Sequence, residues 1–228
     1  MLAIVQNDPE VPPGIYAEHL AGEGIPFLLI KPGAGEALPA TQELRGAIVL
    51  GGAMGVHDTA EFPFLEEVKG FIREVVCAGV PYLGICLGGQ LLADVLGARV
   101  ASGACGEKGS LPVTLTREGE ADPLFAGIPR EFVTFQWHDD TFAIPAGGLL
   151  LASSSACANQ AFRVGPSAYG LQFHPEVDLA IVGTWARWTE ETAPRADDFL
   201  TAFAAAQEAY RAASLRLLTN FLRLAGFI

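Results

Sequence analysis

The segment Val80-Pro81-Tyr82-Leu83-Gly84-Ile85-Cys86-Leu87-Gly88-Gly89-Gln90-Leu91-Leu92 can do chemistry. An apolar strand-like run ends in Gly-x-Cys-x-Gly. It passes at once into a helical pattern in which Leu87, Leu91 and Val95, then Leu92 and Leu96, recur at i, i+4 spacing. A strand, a tight turn and a helix around one nucleophilic residue form a nucleophile elbow, with glycines two positions either side to permit the turn. At a helix N-terminus, free amides and partial positive charge favour thiolate over thiol. Reading Cys86 as one more buried cysteine leaves that context unexplained. Cys77, Cys105 and Cys157 have no such setting and are read as buried small hydrophobes.

A thiol nucleophile needs a base, and the histidines are His19, His57, His138 and His174. His19 falls on a helical segment, on its expected exposed face. His174 ends the apolar run Tyr169-Gly170-Leu171-Gln172-Phe173 and precedes Pro175 and Glu176. Proline biases the residue before it towards extended backbone, and the period of two then sends His174 and Glu176 to one side. A carboxylate so placed can fix the imidazole tautomer that accepts a thiol proton. His-Pro-Glu alone could equally be a capped strand end; with an elbow cysteine it completes a constellation. Leu50-Gly51-Gly52-Ala53-Met54-Gly55 also follows a strand-like run, so its amides could join that of Leu87 in facing a developing oxyanion.

The elements that must position these groups alternate. Leu2 to Val5, Ile25 to Ile30, Ala47 to Leu50 and Val80 to Ile85 are predicted strands; Ile15 to Ala21 and Phe64 to Cys77 are predicted helices. That order implies right-handed crossovers and a mostly parallel sheet covered by helices on both faces, an α/β fold. Beyond Arg99, Leu111 to Thr116, Phe132 to Phe135, Leu149 to Ser153 and Ala168 to Phe173 predict a partly antiparallel extension. The chain then turns helical around Ile181 to Trp188, loops through Thr189 to Pro194, and continues as a helical C-terminal segment over 196–228. With no repeat or linker, and with motifs drawn from both halves, one domain spanning 1–228 is expected.

Composition narrows the function. Fourteen Lys and Arg against 26 Asp and Glu give a net charge of -12 without a basic block, so nucleic acid is not an expected partner. Mean hydropathy is +0.33, and Val75 to Ala93 carries no charge, but Gly79, Pro81, Gly84, Gly88, Gly89 and Gln90 break it up. No membrane span is expected. No basic, apolar leader follows Met1, which points to a cytoplasmic protein. The four cysteines show no zinc-ligand spacing, so neither a metal nor a cofactor is expected.

Gly84-Ile85-Cys86-Leu87-Gly88-Gly89-Gln90 and Gln172-Phe173-His174-Pro175-Glu176 resemble the two signatures of class I, or triad, glutamine amidotransferases, and the resemblance runs from about Leu2 to Trp188. Gly51-Gly52-Ala53-Met54 through Asp58, then Phe62-Pro63-Phe64-Leu65, is similar in particular to stand-alone members related to the glutaminase domain of GMP synthetase. The resemblance implies a flavodoxin-like amidotransferase fold and a small-molecule substrate, glutamine. It makes Cys86 the nucleophile, His174 the proton carrier and Glu176 its orienting group, with Gly52 and Leu87 donating oxyanion amides. It further implies that Gln90 contacts the glutamine, and that Trp137-His138-Asp139-Asp140-Thr141-Phe142 holds its amino and carboxyl groups, largely through backbone.

Two residues depart from the family pattern. Ala53 stands where proline is usual, implying a less rigid oxyanion loop, and Asp139 stands where glycine is usual, implying an altered hold on the α-amino group. The helical segment past Asp197 is expected to serve packing or oligomer contacts. No phosphate loop for activating an acceptor is present, so a true amidotransferase would need a separate synthetase subunit. A free-standing γ-glutamyl amide or peptide hydrolase with the same triad, and a non-catalytic binding or regulatory protein on this fold, are the alternatives.

Overall fold

Four apolar runs of four residues each are buried along their whole length, as strands covered on both faces must be. They are β1 (Leu2–Val5), β3 (Gly46–Val49), β4 (Tyr82–Ile85) and β11 (Ala168–Leu171). In the computed structural model, which describes residues 1–228, they join β2 (Phe27–Ile30) in parallel order β2-β1-β3-β4-β11. The sheet continues with antiparallel neighbours β10 (Ala161–Val164), β9 (Leu149–Ser153), β6 (Glu107–Leu115) and β7 (Glu131–His138). A two-stranded sheet of β5 (Val100–Ala101) and β8 (Thr141–Phe142) lies apart.

Period-two alternation divides the core. Leu2, Ile4, Ile48, Leu83 and Ile85 face one layer, packing with α1 (Gly14–Gly22), α5 (Leu179–Trp185) and α6 (Ala196–Leu224). Ala3, Val5, Ala47, Val49 and Tyr82 face the other, against α2 (Phe64–Cys77) and α3 (Leu87–Val95). A short α4 (Arg117–Glu120) packs beside β9. This is the expected single-domain α/β fold with a parallel centre and an antiparallel extension.

Some boundaries differ from the expected ones for identifiable reasons. The strand expected from Val80 begins at Tyr82, after a proline with no N–H to donate. Ala-Phe-Arg-Val carries no clear alternation, so β10 is not foreseen, and β5 and β8 are too short to have a period. The connection expected over Thr189 to Pro194 runs into a single 3-10 turn, Ala193–Arg195, before α6. Cys77, expected to be buried, is exposed at the end of α2, and Cys105 is only partly covered.

The elbow's glycines are set by contact distance. A Cβ on Gly88 would sit 2.1 Å from the Val49 carbonyl oxygen, and one on Gly84 would sit 2.4 Å from the Gly88 carbonyl. Backbone meets backbone there, so neither neighbour can move aside. Gly88→Ala is expected to destabilise the chain by about 3 kcal/mol or more. Gly70→Ala, inside α2 with nothing within 4 Å, should stabilise by about 0.5–1 kcal/mol. Urea unfolding midpoints of the two variants check both; equal midpoints would contradict the contact argument.

Candidate active site

Cys86 is the one non-glycine residue with positive φ, at φ 50° and ψ −108°, between β4 and α3. Its N–H donates to the Leu171 carbonyl at 2.8 Å, and its own carbonyl accepts from the Gln90 N–H at 2.9 Å. The cysteine is thereby fixed as the cap of α3, whose first amides have no partner within the helix. Parallel pairing of β4 with β11, in the register Ile85↔Leu171, delivers Cys86 and the segment leading to His174 to the same edge of the sheet.

The His174 N–H donates to the Phe135 carbonyl at 2.8 Å, bridging this segment to β7. Its Nδ1 lies 2.8 Å from Glu176 Oε1, as the period-two reading requires. With a carboxylate on that side, Nδ1 carries hydrogen and the opposite nitrogen is left to face Cys86 across the pocket. Burial works against charge on the ring, but the charges of Glu176 and Cys86, with the hydrogen bond to Glu176, prevail, pushing His174 up to about 10. Glu176 is fully buried.

A pocket of about 270 Å³ opens over these groups, lined by Gly52, Cys86, Gln90, Trp137, His138 and His174, with Met54, Trp185 and Trp188 added. Leu87 lies beneath the loop, its side chain 3.1 Å from where a Cβ on Gly52 would be. Gly51 is required there, since a Cβ on it would come within 2.9 Å of the His174 ring. The loop is held in a way the sequence did not foretell. Alanine in place of proline leaves residue 53 an N–H, which donates to Asp8 Oδ2 at 3.0 Å. Asp139 pairs outward with Lys108 at 3.0 Å.

His138 turns both ring nitrogens into protein. Nδ1 donates to the Asp140 carbonyl at 3.0 Å, and Nε2 lies 3.5 Å from Glu107 Oε2. Burial lowers its pKa to about 4 against the opposing pull of that carbonyl, so the ring is neutral near pH 7. Burial raises Glu107, while hydrogen bonds from Ser154 and Gln160 oppose the rise.

Several supporting residues were not singled out from sequence. Gln172 Nε2 lies 3.7 Å from Cys86 Sγ, and its Oε1 accepts from Gln90 Nε2 at 3.3 Å. Trp185 sets its ring edge-on to the His174 imidazole at 4.7 Å and donates Nε1–H to the Glu10 carbonyl. Tyr210, on α6, places its hydroxyl 3.1 Å from the carbonyls of both His174 and Val177. Gln172 was legible as part of its motif; Trp185 and Tyr210 sit in helical patterns that give no such signal.

The geometry can be set beside known proteins. Residues 33–184 match the family model "Glutamine amidotransferase class-I". The chain belongs to the class I glutamine amidotransferase family. Among its relatives, the glutamine amidotransferase-like protein YfeJ of Salmonella typhimurium is 32% identical over 173 residues, covering 74% of this chain and 72% of that protein. The glutamine-hydrolysing GMP synthase subunit of Methanocaldococcus jannaschii is 34% identical over 144 residues, 62% of this chain and 70% of that one. A crystal structure of a glutamine amidotransferase from Thermotoga maritima superposes with a TM-score of 0.88 at 28% identity, covering 98% of this chain and 97% of that one. The superposition includes the C-terminal helix of this chain, so α6 is shared architecture.

The charge on His174 has a measurable consequence. Between its ordinary value of 6.5 and about 10, the folded chain holds a proton that the unfolded chain has released. Its contribution to stability is therefore fully present below about 6.5 and is lost as pH rises towards 10. Imidazole NMR is expected to show His174 still charged at pH 8, with a lower midpoint in Glu176→Gln. A ring already neutral at pH 7.5 would contradict the ion-pair geometry.

Proposed function

We propose that the chain hydrolyses the side-chain amide of glutamine through a thioester on Cys86. The carrying observation is that Cys86 and His174 line one pocket, with the imidazole held from behind at 2.8 Å by the fully buried carboxylate of Glu176. Cys86 Sγ attacks the amide carbon, and the oxyanion that forms faces the amides of Gly52 and Leu87. His174 gives its proton to the leaving nitrogen, the C–N bond breaks and ammonia departs. The neutral ring then takes a proton from water, which attacks the thioester and releases glutamate and thiol. Glu176 holds the ring throughout; Gln90, Trp137 and His138 shape the glutamine site.

The relation to the archaeal glutamine-hydrolysing GMP synthase chain supports ammonia delivery to a separate synthetase. A second cavity, of about 560 Å³, favours a second reading. It shares Ala53 and Met54 with the catalytic pocket and is walled by Phe62 and Phe64, with Lys31, Asp58 and Glu61 beside them. A substrate whose γ-glutamyl amide carries a larger amine could extend into it, making the enzyme a free-standing hydrolase. An intact triad argues against a purely regulatory role. No helix is long and apolar enough to cross a membrane.

Ammonia release from glutamine and from a series of γ-glutamyl amides and peptides tests both readings. Cys86→Ala and His174→Ala are each expected to lower turnover by about ten-thousand-fold or more while leaving the fold intact. Preference for one γ-glutamyl amide over glutamine would select the second reading. Turnover retained in Cys86→Ala would overturn both.

A further inference from the structure

Behind the wall of the catalytic pocket, four strand ends and loops bring together residues that the sequence keeps far apart. Glu107 and His138 are cross-strand partners on β6 and β7, and Cys157 lies in the loop between β9 and β10. One donor atom from each of the three lies within 4.8 Å of the others, and all three residues are buried. The Sγ of Cys105 touches that of Cys157 at 2.7 Å.

The orientation of His138 decides what this cluster lacks. Its Nδ1 faces a carbonyl that can only accept, so Nδ1 carries the hydrogen and Nε2 presents a bare lone pair. Nε2 has no hydrogen-bond partner, its side chain is 1% exposed, and it faces the Glu107 carboxylate at 3.5 Å. Two buried acceptors thus confront each other. A proton shared between them would draw them below about 3 Å. Around one tetrahedral zinc, nitrogen, oxygen and sulfur ligands stand about 3.3–3.8 Å apart, close to the separation seen.

We infer that Glu107, His138 and Cys157, with Cys105 as a second thiol, form a site for a zinc-class divalent cation. Thiolate, imidazole and carboxylate are the ligand set such an ion takes, each thiol releasing its proton to solvent on binding. An outer shell is already built. The Asp140 carbonyl fixes the imidazole, while Ser154 Oγ and Gln160 Nε2 donate to Glu107 Oε2 at 2.8 and 2.5 Å. Both of these bonds fall on Oε2, so the two lone-pair sites left for a cation are those of Glu107 Oε1, reached by a small turn of the carboxylate. The two sulfurs must separate by about 1 Å to share one ion. Bound there, the cation would pin the Trp137-to-Asp140 segment that lines the catalytic pocket, whatever the substrate.

The test uses the full chain, purified without chelator, then exposed to zinc or cobalt(II). About one zinc per chain is expected, and the cobalt form should show tetrahedral ligand-field bands with thiolate-to-cobalt charge transfer. Cys105→Ser/Cys157→Ser should lose the charge-transfer band, and Glu107→Gln should lose stoichiometric uptake; circular dichroism confirms that each variant is folded. If the cysteine variant does not fold, Glu107→Gln and the wild-type spectrum decide. Three results would overturn the inference: no uptake with both thiols free, a mass two hydrogens lighter from a Cys105–Cys157 disulfide, or uptake unchanged in the variants.

Discussion

The backbone of Cys86 is held where L-residues rarely rest, and most of the molecule around the pocket acts to keep it there. A non-glycine residue at φ 50° costs on the order of 1–3 kcal/mol and persists only when its surroundings over-determine it. Here β4 brings the chain in, α3 carries it away, and β11 clamps the cysteine N–H from the side. Gly84 and Gly88 allow strand, turn and helix to approach at distances that no Cβ would tolerate. The result is a thiol at the edge of the sheet with the unpartnered amides of a helix N-terminus beside it.

Charge is organised around the same point. His174 reaches Cys86 because β11 is the parallel neighbour of β4, and it keeps its proton because Glu176 lies directly behind it. The turn carrying them is tied from three directions: β7 through the His174 N–H, α5 through the ring of Trp185, and α6 through the hydroxyl of Tyr210. The C-terminal helix therefore belongs to the machinery of the pocket. Of the expected roles in packing or oligomer contacts, packing is what its buried residues show.

What could be read from sequence follows the range of the forces involved. Fully buried parallel strands leave unbroken apolar runs, so β1, β3, β4 and the helix Phe64–Cys77 were legible, and the elbow and His-Pro-Glu are local motifs. Long-range contacts leave no such record. Tyr210 looks like any core tyrosine on a helix, and nothing about Asp8 announces that it anchors residue 53 across the sheet edge. The cysteines show the same limit. Their spacing excludes a local metal motif, yet the fold carries Cys105 and Cys157 to contact beside His138 and Glu107, while Cys77 lies exposed.

That contrast among cysteines supplies the most direct test of Cys86 as the nucleophile. Cys77 is exposed and Cys86 is buried, so accessibility alone would direct an electrophile to Cys77. A glutamine-like electrophile at one equivalent, followed by peptide mapping, separates access from activation. The expected result is a single adduct on Cys86, greatly slowed in His174→Ala. Modification of Cys77 ahead of Cys86, or an adduct on Cys86 that forms equally fast without His174, would contradict it.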